Sequence, residues 1–254
     1  MGMFEDNTIL ITGAAAGLGE AAADAFAQGG ARLLLSDLSP GVEDVARRLD
    51  ADWMIADAAK PEDHRALVAR AVEIGGRLDV ALNNAGIAHP PMRIEQTPKD
   101  LARRVIEVDL LGMFWALQAQ IPQLQQQHRA DGSSSCIVNV ASIAGLVAAP
   151  TLGIYAAAKH GVSGLTRTAA IENARRGIRV NAICPAFTRT SMVDDIIGVA
   201  PDPAAATADL TRGVPMRRLA EREEIVTAIL FAANPQNSFM TGQTLALDGG
   251  VTAY

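Results

Sequence analysis

Short apolar runs with the composition of β-strands alternate strictly with longer helix-like segments along this chain of 254 residues. The segments predicted as strands are Ile9–Thr12, Ala31–Ser36, Trp53–Ala56, Val80–Asn83, Cys136–Ala141, Val180–Cys184 and Thr244–Leu247. The segments predicted as helices are Leu18–Ala27, Val42–Leu49, His64–Glu73, Asp100–Gln127, Thr151–Ala174 and Glu221–Ala233. Strands that read as continuous apolar runs are typical of a parallel sheet buried on both faces. The pattern therefore predicts an α/β fold, a doubly wound (Rossmann-like) parallel sheet with helices on both faces.

The composition supports a single folded unit. Hydrophobic residues make up 49% of the chain, which is enough for the large core that such a sheet requires. No stretch rich in Pro, Gly or Ser divides the pattern as a linker would, so we expect residues 1–254 to form one domain.

The charge pattern argues against nucleic acid as a partner. The net charge is −6, and acidic and basic residues are interspersed, so that no basic stripe is formed. The nearest candidate is Arg175-Arg176 with Arg179, which falls at a helix end. We interpret these arginines as offsetting the helix dipole.

Three further features predict a soluble cytoplasmic protein without a disulfide, a metal site or a membrane span. Cys136 and Cys184 lie inside strand-like runs, where we expect them to be buried small apolar residues. Acidic Glu5 and Asp6 stand where a secretory signal would be basic and then apolar. The apolar stretch Ile143–Ala158 is too short and too broken by Gly, Pro, Thr and Tyr to cross a bilayer.

A glycine-rich turn follows the first predicted strand. Its residues, Thr12-Gly13-Ala14-Ala15-Ala16-Gly17-Leu18-Gly19, lead directly into an alanine-rich helix. Glycines allow a tight turn and close approach of the backbone to a pyrophosphate, whose charge is stabilised at the positive end of the helix dipole. The spacing G-x-x-x-G-x-G differs from the commoner G-x-G-x-x-G, and a simple tight connection between strand and helix is the alternative interpretation.

Tyr155 and Lys159 stand four residues apart in a predicted helix, so both side chains project from one face. An unperturbed phenol has a pKa of about 10. A lysine cation about 4 Å away, at an effective dielectric constant of about 20, favours the phenolate by roughly 4 kcal/mol. The pair is therefore suited to acid–base chemistry near neutral pH. The same spacing also occurs on many solvated helix faces.

Together, the motifs resemble the short-chain dehydrogenase/reductase family along the full length of the chain. The matching elements are the Thr12–Gly19 turn, Asn83-Asn84-Ala85-Gly86, Ser142, Tyr155 with Lys159, Asn181, Pro185 and Asp248-Gly249-Gly250. Ser142 precedes Tyr155 by thirteen positions, as the family pattern requires. The resemblance implies a single dinucleotide-binding catalytic domain that interconverts a secondary alcohol and a ketone by hydride transfer.

The resemblance also implies roles for individual residues. Tyr155 exchanges a proton with the substrate oxygen, Lys159 assists it and bonds the nicotinamide ribose, and Ser142 holds the same oxygen. Further cofactor-binding residues implied by the family pattern are Gly13, Gly17, Leu18, Gly19, Asn84, Gly86 and Pro185. Thr188 and Thr190 are candidates for bonding the carboxamide, or alternatively for capping the helix that follows.

Asp37 follows the second predicted strand, about twenty residues after the glycines. An acidic side chain there accepts hydrogen bonds from both adenosine ribose hydroxyls and repels a 2′-phosphate, so we expect NAD rather than NADP. A helix N-cap or a turn aspartate is the alternative interpretation. Asp57, with Ala58 beside it, resembles the family residues that contact adenine, although an ordinary turn aspartate would give the same pattern.

Two positions depart from the family pattern. Where the family has V-N-x-x-G, this chain has Val108-Asp109-Leu110-Leu111-Gly112, with Asp109 in place of the asparagine. The resemblance implies that the main-chain carbonyl of this residue holds a water of the proton relay. Because aspartate keeps that carbonyl, we expect the relay to persist; pairing of the carboxylate with Lys159 is the alternative. The second departure is Pro185-Ala186, where the family usually has Pro-Gly.

The segment Phe187–Arg218 is long and mixed in composition, and we expect it to act as a lid over the substrate. Its apolar residues, which could instead pack the segment onto the sheet, are Met192, Val193, Ile196, Ile197 and Met216. Leu146–Pro150 should form a second apolar wall. Apart from Arg189, no clamp for a carboxylate or phosphate is evident. We therefore expect a neutral secondary alcohol or ketone, with cyclic compounds among the candidates.

Two other functions are compatible with the sequence. One is a reductase of 3-oxoacyl groups on a carrier, which Asp37 and the acidic net charge disfavour. The other is a non-catalytic NAD-binding sensor or scaffold, for which Asp109 is the one supporting feature. The resemblance further implies a homotetramer, with interfaces from the helices beginning near Asp100 and Thr151 and from the C-terminal strand.

Overall fold

The structure, a computed structural model, describes residues 2–190, 193 and 202–253. Within these residues, seven strands form one parallel sheet in the order β3-β2-β1-β4-β5-β6-β7. The strands are β1 (Thr8–Thr12), β2 (Arg32–Asp37), β3 (Asp52–Ile55), β4 (Val80–Asn83), β5 (Ser135–Val140), β6 (Ile178–Pro185) and β7 (Thr244–Leu247). This order, with helices in the connections, confirms the predicted doubly wound sheet.

Helices connect the strands and cover both faces of the sheet. They are α1 (Gly17–Gln28), α2 (Val42–Leu49), α3 (Pro61–Gly75), α4 (Lys99–Val105), α5 (Gly112–Asp131), α6 (Gly153–Asn173), α7 (Pro203–Thr211) and α8 (Arg222–Ala233). Side chains of β1 alternate between the two faces: Ile9 and Ile11 pack with α1, α2 and α8, whereas Leu10 packs with α3, α5 and α6. Two separate hydrophobic cores result, one on each side of the sheet.

The predicted helix Asp100–Gln127 is interrupted in the structure. A π-helical turn, Ile106–Leu111, separates α4 from α5, and Asp109 lies within it. Such turns widen the helix locally and are frequent at functional sites. The hydrophobic period gives no sign of the turn, so the sequence predicted one continuous helix.

The predicted lid contains a short helix that its mixed composition did not reveal. Asp202 caps the N-terminus of α7, where its Oδ1 accepts hydrogen bonds from the backbone N–H groups of Ala204 and Ala205, both at 3.0 Å. Of the apolar lid residues, Val193 and Met216 are described and Val193 is buried. Met192, Ile196 and Ile197 lie outside the described residues.

The two cysteines are buried, as expected from the apolar runs that contain them. Burial raises the pKa of both thiols, Cys136 and Cys184, to about 11. Across the described part of the chain, none of the helices combines the length and apolarity that a membrane crossing demands.

Strand order reverses between β1 and β4, because the chain leaves β1 toward β2 and later returns to pair with its other edge. Thr12 and Asn83 are register partners at the carboxyl ends of these two strands. Open α/β sheets bind ligands in the crevice outside such a switch point. A ligand site is therefore expected among the residues that follow β1 and β4.

Candidate active site

A cleft of about 620 Å³ opens at the switch point. Most of the residues singled out from the sequence line it: Gly13, Gly17, Leu18, Asp37, Asp57, Ala58, Asn84, Gly86, Ser142, Tyr155, Lys159, Pro185, Thr188 and Thr190. Gly19 and Asp109 are not among the residues that line it. The fold thus brings together, in one cleft, residues that are spread over most of the chain.

The glycine turn is built so that α1 can pack tightly against the end of β4. Gly13 has φ +69°, and a Cβ there would approach Asn84 Nδ2 to 2.8 Å and Ala85 Cα to 2.9 Å. A Cβ on Gly19 would overlap the carbonyl oxygen of Gly13. Only glycine fits these positions, because any side chain would push the turn away from β4.

The N-terminus of α1 fits a phosphate group. Its N-cap residue, Ala16, offers no side-chain hydrogen bond to the first turn, so backbone N–H groups remain for a ligand. Ala16, Gly17 and Leu18 all line the cleft. The positive end of the helix dipole therefore faces the place where a dinucleotide pyrophosphate would lie.

Asn84 braces the glycine turn. Its Nδ2 donates hydrogen bonds to the carbonyl oxygens of Thr12 at 3.1 Å and Gly13 at 2.9 Å, which uses both amide protons. Thr12 Oγ1 accepts hydrogen bonds from the backbone N–H groups of Asn84 and Ala85 at 3.1 and 3.2 Å. The family resemblance implies a cofactor contact for Asn84, and the structure adds a holding role for its side chain.

Asp37 ends β2 and faces the cleft. Its Oδ2 accepts a hydrogen bond from the backbone N–H of Ala15 at 3.0 Å, and its Oδ1 accepts one from Ser39 N at 2.9 Å. The N-cap of α2 is Gly41, so Asp37 does not cap that helix. Each carboxylate oxygen keeps a lone pair for a further donor, as two ribose hydroxyls would require.

Asp57 and Ala58 follow β3 at the same edge of the cleft. Asp57 Oδ1 accepts a hydrogen bond from the backbone N–H of Ala59 at 3.0 Å and lies 3.6 Å from Arg104 Nη2. His64 Nε2 donates a hydrogen bond to the carbonyl oxygen of Ala58 at 2.9 Å. Burial lowers the pKa of His64, so its neutral form is favoured. Asp57 therefore both forms a turn and presents a carboxylate to the cleft.

Ser142 lies just beyond β5 with an extended backbone and begins a 3₁₀ turn, Ile143–Gly145. Its Oγ accepts a hydrogen bond from the backbone N–H of Ala144 at 3.1 Å, which leaves the hydroxyl proton available. The side chain is buried but lines the cleft. It can therefore donate a hydrogen bond to an oxygen bound there.

Tyr155 and Lys159 lie on one face of α6, and Lys159 Nζ is 5.5 Å from the centre of the Tyr155 ring. Nζ also donates a hydrogen bond to the carbonyl oxygen of Val140 at 3.2 Å and lies 3.7 Å from Asp109 Oδ2. Burial acts to lower the pKa of Lys159, but the charges of Tyr155 and Asp109 outweigh it and the pKa is raised. The side chain is thus held as a cation beside the phenol.

Asp109 is buried, with 1% of its surface exposed. Its Oδ1 accepts a hydrogen bond from the backbone N–H of Ile87 at 2.8 Å, while its Oδ2 faces Lys159. Burial raises the pKa of Asp109, although Lys159 and the Ile87 N–H oppose the shift. Of the two outcomes that the sequence left open, the structure shows the carboxylate at ion-pair distance from the lysine.

Pro185 is the last residue of β6, and the threonines beyond it use their hydroxyl protons locally. Thr188 Oγ1 donates to the carbonyl oxygen of Ala186 at 3.1 Å, and Thr190 Oγ1 donates to that of Thr188 at 3.4 Å. Arg189, the candidate clamp, pairs with Glu221 at 3.3 Å and is half exposed. Because the Arg189 guanidinium is already paired with a carboxylate, it is not a free site for an anionic substrate group.

No individual role was predicted from the sequence for three residues of this site, although Thr12 was predicted as the first residue of the glycine turn. Thr12 supports Asn84, His64 holds the carbonyl of Ala58, and Arg104 reaches the cleft from α4. Thr12 carried a weak signal, since it opens the glycine turn. Arg104 and His64 carried none, because only the folding of α3 and α4 against the sheet brings them there.

Comparison with known proteins finds relatives that match along nearly the whole chain. Residues 13–252 match a family model described as enoyl-(acyl carrier protein) reductase. Cis-4-hydroxycyclohexanecarboxylate dehydrogenase of Sinomonas cyclohexanicum is 39% identical over 255 residues, which cover 98% of each chain. Cyclohexanol dehydrogenase of Acinetobacter sp. (strain SE19) is 34% identical over 256 residues, which cover 98% of this chain and 96% of the relative.

A solved structure shows the same fold. The 3-ketoacyl-(acyl-carrier-protein) reductase from Brucella melitensis, complexed with NADH, superposes with a TM-score of 0.89 at 33% sequence identity. The match covers 98% of this chain and 99% of that one. Nearly the whole chain therefore has the same fold as this reductase.

Proposed function

The chain belongs to the short-chain dehydrogenase/reductase family, and on that premise we propose that it is an NAD-dependent oxidoreductase. It interconverts a secondary alcohol and a ketone, with Tyr155 as general acid and base. One observation carries the proposal: Ser142, Tyr155 and Lys159 line the same cleft as the glycine turn and Asp37. That arrangement joins a proton-transfer group to a dinucleotide cradle.

When bound, the nicotinamide cofactor supplies the acceptor or donor of the hydride. The chain's own residues then transfer the proton and stabilise the charge on the substrate oxygen. Tyr155 gives its hydroxyl proton to a ketone oxygen, or takes the proton of an alcohol. Ser142 donates a hydrogen bond to the same oxygen and fixes its position. The Lys159 cation favours the phenolate through its charge, as required when Tyr155 acts as a base.

The residues that would hold the cofactor are divided along the cleft. The glycine turn and the N-terminus of α1 would hold the pyrophosphate, Asp37 the adenosine ribose, and Asp57 with Ala58 the adenine; all of them line the cleft. Lys159, Pro185, Thr188 and Thr190, which also line it, would hold the nicotinamide half. Asp37 supports NAD over NADP, because its carboxylate would repel a 2′-phosphate.

A neutral substrate fits the charges at the nicotinamide end. Among the described lining residues, the side chains able to carry a positive charge are His64, Arg104 and Lys159. His64 and Arg104 lie at the adenosine end, and Lys159 is engaged with Val140 and Asp109. We therefore propose a neutral cyclic secondary alcohol or ketone, closer to cyclohexanol than to a hydroxycyclohexanecarboxylate.

Turnover assays test this proposal directly. Purified protein is given NAD or NADP with cyclohexanol, a linear secondary alcohol or 4-hydroxycyclohexanecarboxylate, and the absorbance of the reduced cofactor is followed. We expect turnover with NAD, and a higher kcat/KM for cyclohexanol than for the carboxylate. A preference for the carboxylate would contradict the neutral-substrate proposal while preserving the reaction class.

Two alternatives have specific support. The structural likeness to a 3-ketoacyl-(acyl-carrier-protein) reductase favours a carrier-linked 3-oxoacyl substrate. The pairing of Asp109 with Lys159 favours a sensor or scaffold that binds NAD without turnover. NADPH-dependent reduction of an acetoacetyl thioester would support the first alternative. Tight NADH binding without turnover of any substrate would support the second.

We further propose that residues 1–254 act as one catalytic domain in the cytoplasm, with Phe187–Arg218 as the substrate lid, and that the protein is a homotetramer. Large apolar side chains are exposed on several elements: Leu111 ends the π-helical turn, Phe114 lies on α5, Ile171 on α6, Phe231 on α8 and Phe239 in the loop before β7. Ile171 is 81% exposed and Phe239 is fully exposed, which is costly for a monomer in water. Sedimentation equilibrium should give a mass four times 26.6 kDa.

A further inference from the structure

Asp109 and Lys159 form a buried charge pair at the wall of the cleft. The two side chains are 1% and 4% exposed, and 3.7 Å separates Oδ2 from Nζ. Gly86 packs directly over them, since a Cβ at this position would lie 3.3 Å from Nζ and 3.4 Å from Asp109 Oδ1. In such surroundings a charge acts more strongly on its neighbours than at the surface.

The position of Asp109 is fixed on two sides. Its Oδ1 is tied to the Ile87 N–H at 2.8 Å, so the carboxylate cannot turn away from the lysine without losing that bond. Within the described chain, Oδ2 has no hydrogen-bond donor at ordinary distance, and Lys159 is its nearest cation. The carboxylate therefore acts on Lys159 mainly through charge.

The groups that surround this pair come from three elements. Tyr155 faces Lys159 from the same helix, α6, and Cys184 faces it from the end of β6. His89, in the loop after β4, acts electrostatically to lower the pKa of Asp109 and is itself buried. Its Nδ1 donates a hydrogen bond to the carbonyl oxygen of Pro90 at 2.8 Å, which leaves Nε2 as an acceptor when the ring is neutral.

We propose that Asp109 is a positioning residue that competes with the Tyr155 phenolate for the Lys159 cation. The inference rests on the proposed function, in which Tyr155 takes a proton from the alcohol. An ionised Asp109 offsets part of the charge that Lys159 presents to the phenol. The chain should then form tyrosinate, and oxidise alcohols, only at a higher pH than the same chain with a neutral amide at this position.

The direction follows from electrostatics alone. Replacing Asp109 by asparagine removes a negative charge 3.7 Å from Lys159 Nζ but keeps the oxygen that accepts from Ile87. A unit charge at roughly 10 Å, in an effective dielectric constant of about 20, moves an ionisation by about one pH unit. Carbonyl reduction, which uses the protonated phenol, should lose rate in the variant over the same pH range in which alcohol oxidation gains it.

The chain allows tyrosinate to be measured without substrate or cofactor, because it has two tyrosines, Tyr155 and Tyr254. In a Tyr254→Phe background, the ultraviolet absorbance of tyrosinate reports Tyr155 alone. We expect Asp109→Asn to move its appearance to lower pH by about one unit. The rising, acid-side limb of the pH profile of kcat/KM for alcohol oxidation should move by the same amount.

Matched variants make the test decisive. Asp52→Asn removes the same charge from the surface of β3, where Arg70 pairs with it at 2.7 Å, and should leave the tyrosinate transition in place. Asp109→Ser serves if the asparagine variant does not fold, since it also removes the charge. Unchanged or later tyrosinate formation in the folded Asp109 variants would overturn the proposal. Because this measurement needs no turnover, it is independent of whether the proposed reaction is correct.

Discussion

The backbone N–H of Ala15 donates a hydrogen bond to Asp37 Oδ2 at 3.0 Å, which joins the glycine turn to the end of β2. Ser39 holds the other oxygen of the same carboxylate at 2.9 Å. Asp37 thus enters the cleft in a fixed orientation, with its negative charge already in place. A rigid carboxylate discriminates between cofactors better than a mobile one, because it cannot move away from a 2′-phosphate.

Replacing Asp37 should reverse the cofactor preference. We expect Asp37→Ser combined with Leu38→Arg to weaken NADH binding by about 10- to 100-fold, because the hydrogen bonds to the carboxylate contribute about that much to the affinity. The same change should strengthen NADPH binding. Fluorescence titration of the two reduced cofactors measures both affinities. Asp44→Ser, which removes an acidic side chain from α2, is the matched control. Equal losses for NADH and NADPH would indicate a disturbed turn instead of a lost ribose contact.

Tyr155→Phe should abolish turnover while leaving the cofactor bound. Removal of a general acid and base typically costs about 10²- to 10⁴-fold in kcat. The ring stays in place, so NADH affinity should change little. Stopped assays of cyclohexanol oxidation and NADH fluorescence separate the two effects, with Tyr254→Phe as the control for loss of a phenol. Activity within tenfold of the original would rule out Tyr155 as the proton-transfer group.

Gly13→Ala should destabilise the protein and weaken dinucleotide binding. The positive φ costs roughly 1–2 kcal/mol for a residue with a Cβ. The overlap with Asn84 and Ala85 adds about 1–3 kcal/mol. Gly76→Ala is the matched control, because Gly76 has φ +74° and a Cβ added there would meet no atom within 4 Å.

The two glycine variants should therefore differ in urea unfolding. In Gly76→Ala, only backbone strain lowers the free energy of unfolding. In Gly13→Ala, backbone strain and steric overlap both lower it. NADH binding should weaken in Gly13→Ala and stay unchanged in Gly76→Ala. If the two variants lose the same free energy of unfolding, the turn can shift to accept the methyl group, and close packing is not its reason for glycine.

His64 should make stability depend on pH in the mildly acidic range. Its pKa in the folded protein lies below the ordinary value of 6.5, so the unfolded chain binds the proton more readily. The stabilisation is complete above pH 6.5 and falls as the pH drops toward the folded pKa. Urea unfolding at about pH 7.5 and about pH 5.5 measures the loss. His64→Gln, which keeps a donor for Ala58, should reduce it, whereas His160→Gln on the exposed face of α6 should not.

Local features of the sequence predicted most of the fold. β4 and β7 have the predicted bounds, and α2 does as well, because their apolar patterns are flanked by clear breaks. The glycine turn and the four-residue spacing of Tyr155 and Lys159 are local as well. A helix fixes the face on which two such residues lie, whatever surrounds it. These parts of the site therefore followed from neighbouring residues alone.

Contacts between distant segments decided the rest. Arg179, which was predicted to offset the dipole of its own preceding helix, instead donates to the carbonyl oxygens of Ala232, Ala233 and Asn234 at the end of α8. The π-helical turn around Asp109 likewise could not be predicted from the spacing of hydrophobic residues. Both depend on which elements pack together, and a linear pattern does not contain that information.

The sequence by itself determined the α/β sheet, the place of the glycine turn after its first strand and the face of α6 that carries Tyr155 and Lys159. Only the tertiary structure decided how strongly those residues act on one another. Asp109 and Lys159 are fifty positions apart, and their 3.7 Å separation exists because the π-helical turn and α6 are packed together. Electrostatic energy depends on distance and burial, and both are properties of the folded chain.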